Sequence, residues 1–348
     1  MSLPTVDPEF LTSFLSGLLN TPSPTGLAGP AITFVEQALH TFPDLSLRRN
    51  RKGALLATWP GDKTDAPRAL TAHADTLGAM VRQIKPNGRL QMTKIGGYAW
   101  NTIEGEGCWV LSSCVAPVRG SILLDTASSH VHGNKVSETK RDDDNMEVRL
   151  DAKTTSKEET ESLGVQVGDF IALDPRVEIT NGFVRSRHLD DKACVACIVA
   201  AIKSLHAAGL KPAQTASFLF SNYEEVGHGA AAGIPSDVVE LLCVDMAAVG
   251  EGQSSDEFHA TLCLKDSGGP YHHELSQKMH LLADQYNIPY KLDIYPYYGS
   301  DGEAFWHAGG DVAVALIGPG VDASHNYERT HQDALLATTQ WVMAYLLS

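Results

Sequence analysis

Five short stretches place histidine or carboxylate side chains where an apolar run ends, and together they offer the donors of a hydrolytic metal site. The first is Ala72-His73-Ala74-Asp75. Residues two apart on a strand point the same way, so His73 and Asp75 can work together. Neutral imidazole is a good zinc ligand, and ligand histidines usually donate their second N–H to a carboxylate. The second stretch, His188-Leu189-Asp190-Asp191-Lys192, sets two carboxylates side by side. They repel unless a cation lies near them, with some relief from the N-terminus of the helix that follows. In the third, Glu224-Glu225 follows the strand-like Ala216–Phe220. One carboxylate there can bind metal while the other stays free as a general base for an activated water. The fourth is Asp245, ending the run Leu241-Leu-Cys-Val, where a carboxylate needs a partner to be buried. The fifth is Ser324-His325-Asn-Tyr-Glu328-Arg-Thr-His331, in which either histidine is a candidate ligand.

Each stretch alone has an ordinary reading. These are a surface pair at a strand end, an acidic helix cap, an exposed acidic loop, a capping Asp and a polar loop before the last helix. Jointly they span the chain and fall at strand ends of one predicted α/β domain, where that architecture puts its sites. They supply about what two hydrolytic metals need: a bridging carboxylate, and a histidine and carboxylate for each ion.

The elements that must position these groups follow from periodicity. Glu9 to Leu19 and Gly29 to His40 read as helices, and Ala69 to His73 as a buried strand. From Gly78 to Arg185 short β-type runs dominate, separated by turn signals such as Pro86-Asn87-Gly88. One short helix interrupts them, capped by Ser156 with Glu159 three residues on and stopped at Gly164. The α/β rhythm then returns: Lys192–Ala208 helical, Gln214–Phe220 and Leu241–Met246 strands, Pro270–Tyr286 helical, Val312–Ile317 the last buried strand and Thr330–Leu347 the last helix. Alternating strands and helices imply a largely parallel sheet covered on both faces. A small all-β domain is therefore inserted into an α/β domain.

The chain has 348 residues, 43% hydrophobic, enough for one large domain and a smaller one. Its net charge of -15, without a Lys/Arg cluster, argues against nucleic acid and suits a cation site. Cys108, Cys114, Cys194, Cys197, Cys243 and Cys263 are scattered, which fits a reducing cytoplasmic setting rather than a disulfide framework. No run reaches the length of a membrane span, and the N-terminus does not read as a signal peptide.

The chain resembles the M42 family of metallo-aminopeptidases, in the wider group of dizinc peptidases. The resemblance rests on His73-Ala-Asp75, Leu77-Gly-Ala-Met-Val81, Ile95-Gly-Gly97, Gly164-Val-Gln-Val-Gly-Asp169, Leu189-Asp-Asp-Lys192, Glu224-Glu-Val-Gly227, Val244-Asp245, Gly299-Ser-Asp301 and Ser324-His325, and it covers nearly the whole length. It implies a phosphorylase/hydrolase-like α/β catalytic domain (residues 1–77 and 185–348) with a β-barrel-like oligomerisation domain (78–184) inserted. It also implies roles. Asp190 bridges two metals and is joined to Asp191 by a cis peptide bond, His73 and Asp245 complete one ion, and Glu225 and His325 complete the other. Glu224 is the general base, Asp75 orients His73, and Ser300 and Asp301 lie near the substrate. The expected cofactors are two divalent ions, zinc foremost, with cobalt or manganese accepted by the same donors. The expected substrates are peptides with a free N-terminus, and the expected state is a homo-oligomer, either a dodecamer or a dimer. Thr76 stands where the family carries an acid, and Glu328 follows His325 by three residues instead of four, which leaves His331 as an alternative ligand. A deacylase, a carboxypeptidase or an inactive metal-binding assembly protein would use nearly the same ligands.

Other features read plainly. Cys194-Val-Ala-Cys197 falls inside a predicted helix and reads as core. Tyr295-Pro-Tyr-Tyr298 reads as packing that can also wall a pocket beside Gly299, and His130 and His132 read chiefly as loop histidines of the β domain, His130 also as a candidate substrate contact.

Overall fold

The computed structural model describes residues 2–112 and 115–348; Cys114 lies outside the described residues. The chain divides into two compact units, Met1–Asp75 with Arg176–Ser348, and Thr76–Pro175.

The larger unit begins with α1 (Pro8–Leu19), α2 (Gly29–Leu39), β1 (Ser46–Arg49), β2 (Leu55–Trp59) and β3 (Lys63–His73). The smaller unit holds β4 (Gly78–Ile84), β5 (Leu90–Ile95), β6 (Gly107–Leu111), β7 (Val118–Leu124), α3 (Ser129–His132), α4 (Lys135–Glu138), β8 (Met146–Leu150), α5 (Lys157–Ser162) and β9 (Phe170–Leu173). The larger unit resumes with β10 (Glu178–Thr180), β11 (Phe183–Ser186), α6 (Leu189–Ala207), β12 (Gln214–Ser221), β13 (Glu240–Val244), β14 (Ala247–Val249) and β15 (Ala260–Lys265). It ends with α7 (His273–Tyr286), β16 (Tyr290–Ile294), α8 (Asp301–His307), β17 (Ala313–Asp322), β18 (Glu328–His331) and α9 (Gln332–Leu346).

The main sheet runs β1-β2-β12-β3-β13-β17-β18-β11-β10. Its centre, β12-β3-β13-β17, is parallel. Antiparallel pairs join at β2–β12, β15–β17 and β11–β18, so the sheet is more mixed than the alternation of elements implies. Central strands are buried on both faces, and successive residues serve different cores. On β13, Leu242 and Val244 join the core containing α1, α6 and α9, whereas Leu241 and Cys243 pack with Phe305 and Trp306 of α8. Helix α6 is buried almost all round, Cys194 and Cys197 included, so the Cys-x-x-Cys spacing is core packing. Among the described residues no helix is long and apolar enough to cross a membrane.

Two expectations need correction. Residues 176–184 were grouped with the inserted domain, but β10 and β11 pair with each other and with β18 and belong to the larger unit. The last helix begins at Gln332, because β-branched Thr330 sits in β18 opposite Val184. His331 caps that helix, its Nδ1 accepting from the Asp333 amide at 3.2 Å.

The smaller unit is a closed barrel, β4-β5-β8-β7-β6-β9, around Val81, Leu90, Val110, Ile122, Val148 and Ile171. Helix α5 is capped as expected by Ser156, whose hydroxyl accepts from the Glu159 amide at 3.2 Å. The Glu159 carboxylate reaches the Thr155 amide at 2.6 Å, one residue before the position a capping box would use. His130 is exposed on the short α3 turn of this unit.

Candidate active site

Parallel strands bring their C-terminal ends to one edge of the sheet. There β3 ends at His73, β12 leads into the tight turn Glu224–Val226, and Asp245 follows β13. Asp190 and Asp191 open α6 through a cis peptide bond. Close packing shapes this edge: a Cβ on Gly318 of β17 would overlap the Asp245 carbonyl.

His73 Nε2 lies 3.0 Å from Asp190 Oδ1 and 3.6 Å from Glu224 Oε2. Donor atoms of His73, Asp190 and Asp245 all fall within 4.8 Å of one another, and all three residues are buried. The second carboxylate oxygen of Asp190 is 3.3 Å from His325 Nε2, which is 3.7 Å from Glu225 Oε2. Asp190 thus faces both histidines. His325 adopts a left-handed backbone conformation, φ 62°, on the turn between β17 and β18. His331 is held elsewhere, between the rings of Phe183 and Phe258. The structure therefore brings His325, and not His331, to this cluster.

The electrostatics are those of crowded acids. Burial pushes Glu225 up to about 8 and Asp245 up to about 7, with the Asp190 charge adding to both. Burial also raises Glu224 well above the ordinary carboxylate range, against the pull of His73. Asp190 moves the other way, because hydrogen bonds from His325 and His73 outweigh its burial. Burial alone would lower His73, yet Glu224, Asp190 and Asp191 hold its imidazole well above its usual value. Imidazole and carboxylate donors this close suit divalent cations, which would offset the repulsion that otherwise favours protonation. The residues present therefore fit a metal centre.

A cavity of about 550 Å³ opens over these groups, and its lining includes Asp190, Glu224, Glu225, Asp245 and His325. Ser300 also lines it, but Asp301 does not. The Asp301 carboxylate is turned inward and accepts from Thr71 Oγ1 at 2.7 Å, Ser221 Oγ at 2.6 Å and the Ala230 amide at 2.7 Å. It braces β3, β12 and the loop after Glu224. Asp75 also differs from expectation. The chain leaves the strand at His73, so the Asp75 carbonyl meets His73 Nδ1 at 2.9 Å while its carboxylate stands 3.8 Å away. That carboxylate instead accepts from Thr25 Oγ1 at 2.7 Å and from the Glu224 amide at 3.3 Å, so it positions Glu224.

Several supporting groups have roles that only the fold reveals. Lys52 donates to the carbonyls of His228 and Gly229 and lies 5.7 Å from the Tyr223 ring, pinning the loop after Glu224. Lys192 is wholly buried, and its ammonium donates to the Thr21 carbonyl at 2.7 Å. Glu328, fully buried, accepts from the Asp190 amide and from the His325 amide, each at 3.0 Å. It fixes the backbone of two residues that face each other across the cluster. In Glu328→Gln an NH2 group must oppose one of those N–H donors. We expect divalent-metal affinity to fall about 10- to 100-fold with the fold retained, as read by calorimetric titration and circular dichroism.

A family model described as M42 glutamyl aminopeptidase matches residues 53–340. The Bacillus subtilis protein YhfE, a candidate aminopeptidase, is 46% identical over 332 residues, 95% of each chain. Among solved structures, an aminopeptidase from the archaeon Desulfurococcus kamchatkensis superimposes with a TM-score of 0.86 at 20% identity, over 97% of this chain and 95% of that one. The TET1 peptidase of Pyrococcus horikoshii, which can assemble into a tetrahedron or a large octahedral shell, does so with a TM-score of 0.85 at 21% identity, over 97% and 99%. With the fold, the strand-end cluster and these matches in agreement, the chain belongs to the M42 glutamyl aminopeptidase family.

Proposed function

We propose that this protein is a two-metal aminopeptidase that removes residues from the free N-terminus of peptides. The observation that carries the reading is Asp190, facing His73 on one side and His325 on the other, with Glu224 beside them. His73, Asp190 and Asp245 would hold one divalent ion, and Asp190, Glu225 and His325 the other. When bound, the two ions would supply a water acidic enough to ionise near neutral pH. Glu224 takes a proton from the attacking water and returns it to the leaving amine. Asp75 keeps Glu224 in place through its backbone amide. A free α-amine, which an acylated terminus lacks, would be a further donor for one of the bound ions. Zinc is the first choice of ion for imidazole and carboxylate donors, with cobalt and manganese accepted.

The barrel unit is the proposed assembly module of a closed homo-oligomer, by analogy with the shells of the Pyrococcus horikoshii relative. The five described cysteines are buried and free of disulfides, which suits the reducing cytoplasmic setting we propose.

The test is hydrolysis of aminoacyl p-nitroanilides after EDTA treatment and add-back of zinc, cobalt or manganese. We expect chelation to abolish release and metal to restore it, for free-amine substrates and not for N-acetylated ones. Cleavage of the acetylated forms alone would sink the aminopeptidase reading in favour of a deacylase.

A further inference from the structure

The rest of the cavity lining includes Met246, Tyr297 and Tyr298, with Glu303, Ala304 and His307 of α8. Glu303 and His307 are four residues apart and share a helix face. The Glu303 carboxyl rests against the backbone of Gly268 and Gly299. A Cβ on Gly268 would overlap that carboxyl, and one on Gly299 would come within 3.3 Å of it. The two glycines are therefore the seat of this side chain. Behind it lies buried Asp266, which accepts from the Gly268 amide at 3.0 Å and from the Tyr271 hydroxyl. Burial, together with a side-chain hydrogen bond to Asp266 and the charge of that carboxylate, pushes Glu303 up to about 7, so an incoming cation would favour its ionised form.

The charge of this wall is one-sided. The nearby cation Lys265 donates to the Asp266 carbonyl at 2.7 Å and does not line the cavity. Among the described lining residues there is neither lysine nor arginine. Of the five lining carboxylates, Asp190, Glu225 and Asp245 are assigned to the proposed metal centre and Glu224 to proton transfer, which leaves Glu303. An acidic side chain drawn into this space would leave water to meet like charge. A lysine or arginine would lay its aliphatic stem on Met246 and Tyr298 and bring its head to Glu303.

We infer that Glu303 selects the substrate: the cavity prefers peptides whose first residue is lysine or arginine and turns away glutamate and aspartate. This is the opposite of the preference named in the family's description, and it rests on the aminopeptidase reading above. The experiment compares kcat/KM for arginyl, lysyl, leucyl and glutamyl p-nitroanilides on the metal-loaded enzyme and on Glu303→Gln, with calorimetric binding of L-arginine and L-glutamate alongside. Arginyl and lysyl substrates should exceed glutamyl by at least about tenfold, and the arginyl-to-leucyl ratio should fall about 10- to 100-fold in the variant. A glutamyl substrate equal to or better than arginyl on the unaltered enzyme overturns the inference. So does a folded variant whose ratio stays within about twofold of the original. If the variant does not fold, the panel on the unaltered enzyme decides. If no anilide is cleaved, the aminopeptidase reading fails, and tighter binding of L-arginine or of L-glutamate still decides the charge preference of the wall.

Discussion

Replacing Glu224 by glutamine is expected to lower turnover by about 10²- to 10⁴-fold while the protein keeps its full metal content. Glu224 lies 3.6 Å from His73 and lines the cavity, yet the ligand sets proposed above are complete without it. Its amide nitrogen is fixed by Asp75, so the substitution changes the acid–base chemistry of the side chain and leaves its placement intact. Metal analysis by plasma emission and the rate on a leucyl anilide read the two effects separately. A variant with unimpaired turnover would remove Glu224 from the mechanism. One that loses its metal would make it a ligand.

Asp190→Asn is expected to behave in the opposite order. Asp190 alone, among the described residues, stands within salt-bridge distance of both His73 and His325. An asparagine keeps the shape, loses the charge and offers one oxygen in place of two. Affinity for both ions should fall by more than about 100-fold, beyond the effect of losing a supporting hydrogen bond, and activity should vanish at ordinary metal concentrations. Without metal the same change removes the carboxylate that pairs with both His73 and His325 and leaves a buried imidazole without that partner, so the metal-free variant should melt lower than the metal-free parent. Dialysis against buffered zinc and scanning calorimetry measure both. Retention of two tight sites would break the bridging assignment.

These two variants probe residues that were legible in the sequence, and the reason is specific. His73, Asp190, Glu224, Glu225, Asp245 and His325 each interrupt or end a run whose burial is set by hydrophobic pattern. A polar group in that position stands out locally. Glu328 does not, because its importance lies in accepting the amide of Asp190, 138 residues away in sequence. The inward turn of Asp301 was hidden for the same reason, since its partners Thr71 and Ser221 sit on other strands. The barrel strands showed themselves through short runs and turn residues. The antiparallel additions to the main sheet did not, because strand direction is decided by which distant segments meet. At the C-terminal turn the local pattern favoured helix from Thr330, and pairing with β11 prevailed over it.

The order of the chain has a consequence for its synthesis. Strand β3 leaves the ribosome early, but its partners β12 and β13 follow only after the whole barrel segment has been made. At translation speeds of about 5–20 residues per second that delay lasts on the order of ten seconds. The barrel strands, in contrast, pair within a single stretch of about 100 residues and need nothing downstream. His73 is among the first of the cluster to emerge, and His325 and Glu328 are the last. A nascent or prematurely terminated chain that stops before the last turn therefore lacks His325 and Glu328, and its cluster is incomplete. The hydrolytic centre exists only in the finished polypeptide, which keeps unfinished copies inert among the other new chains around them.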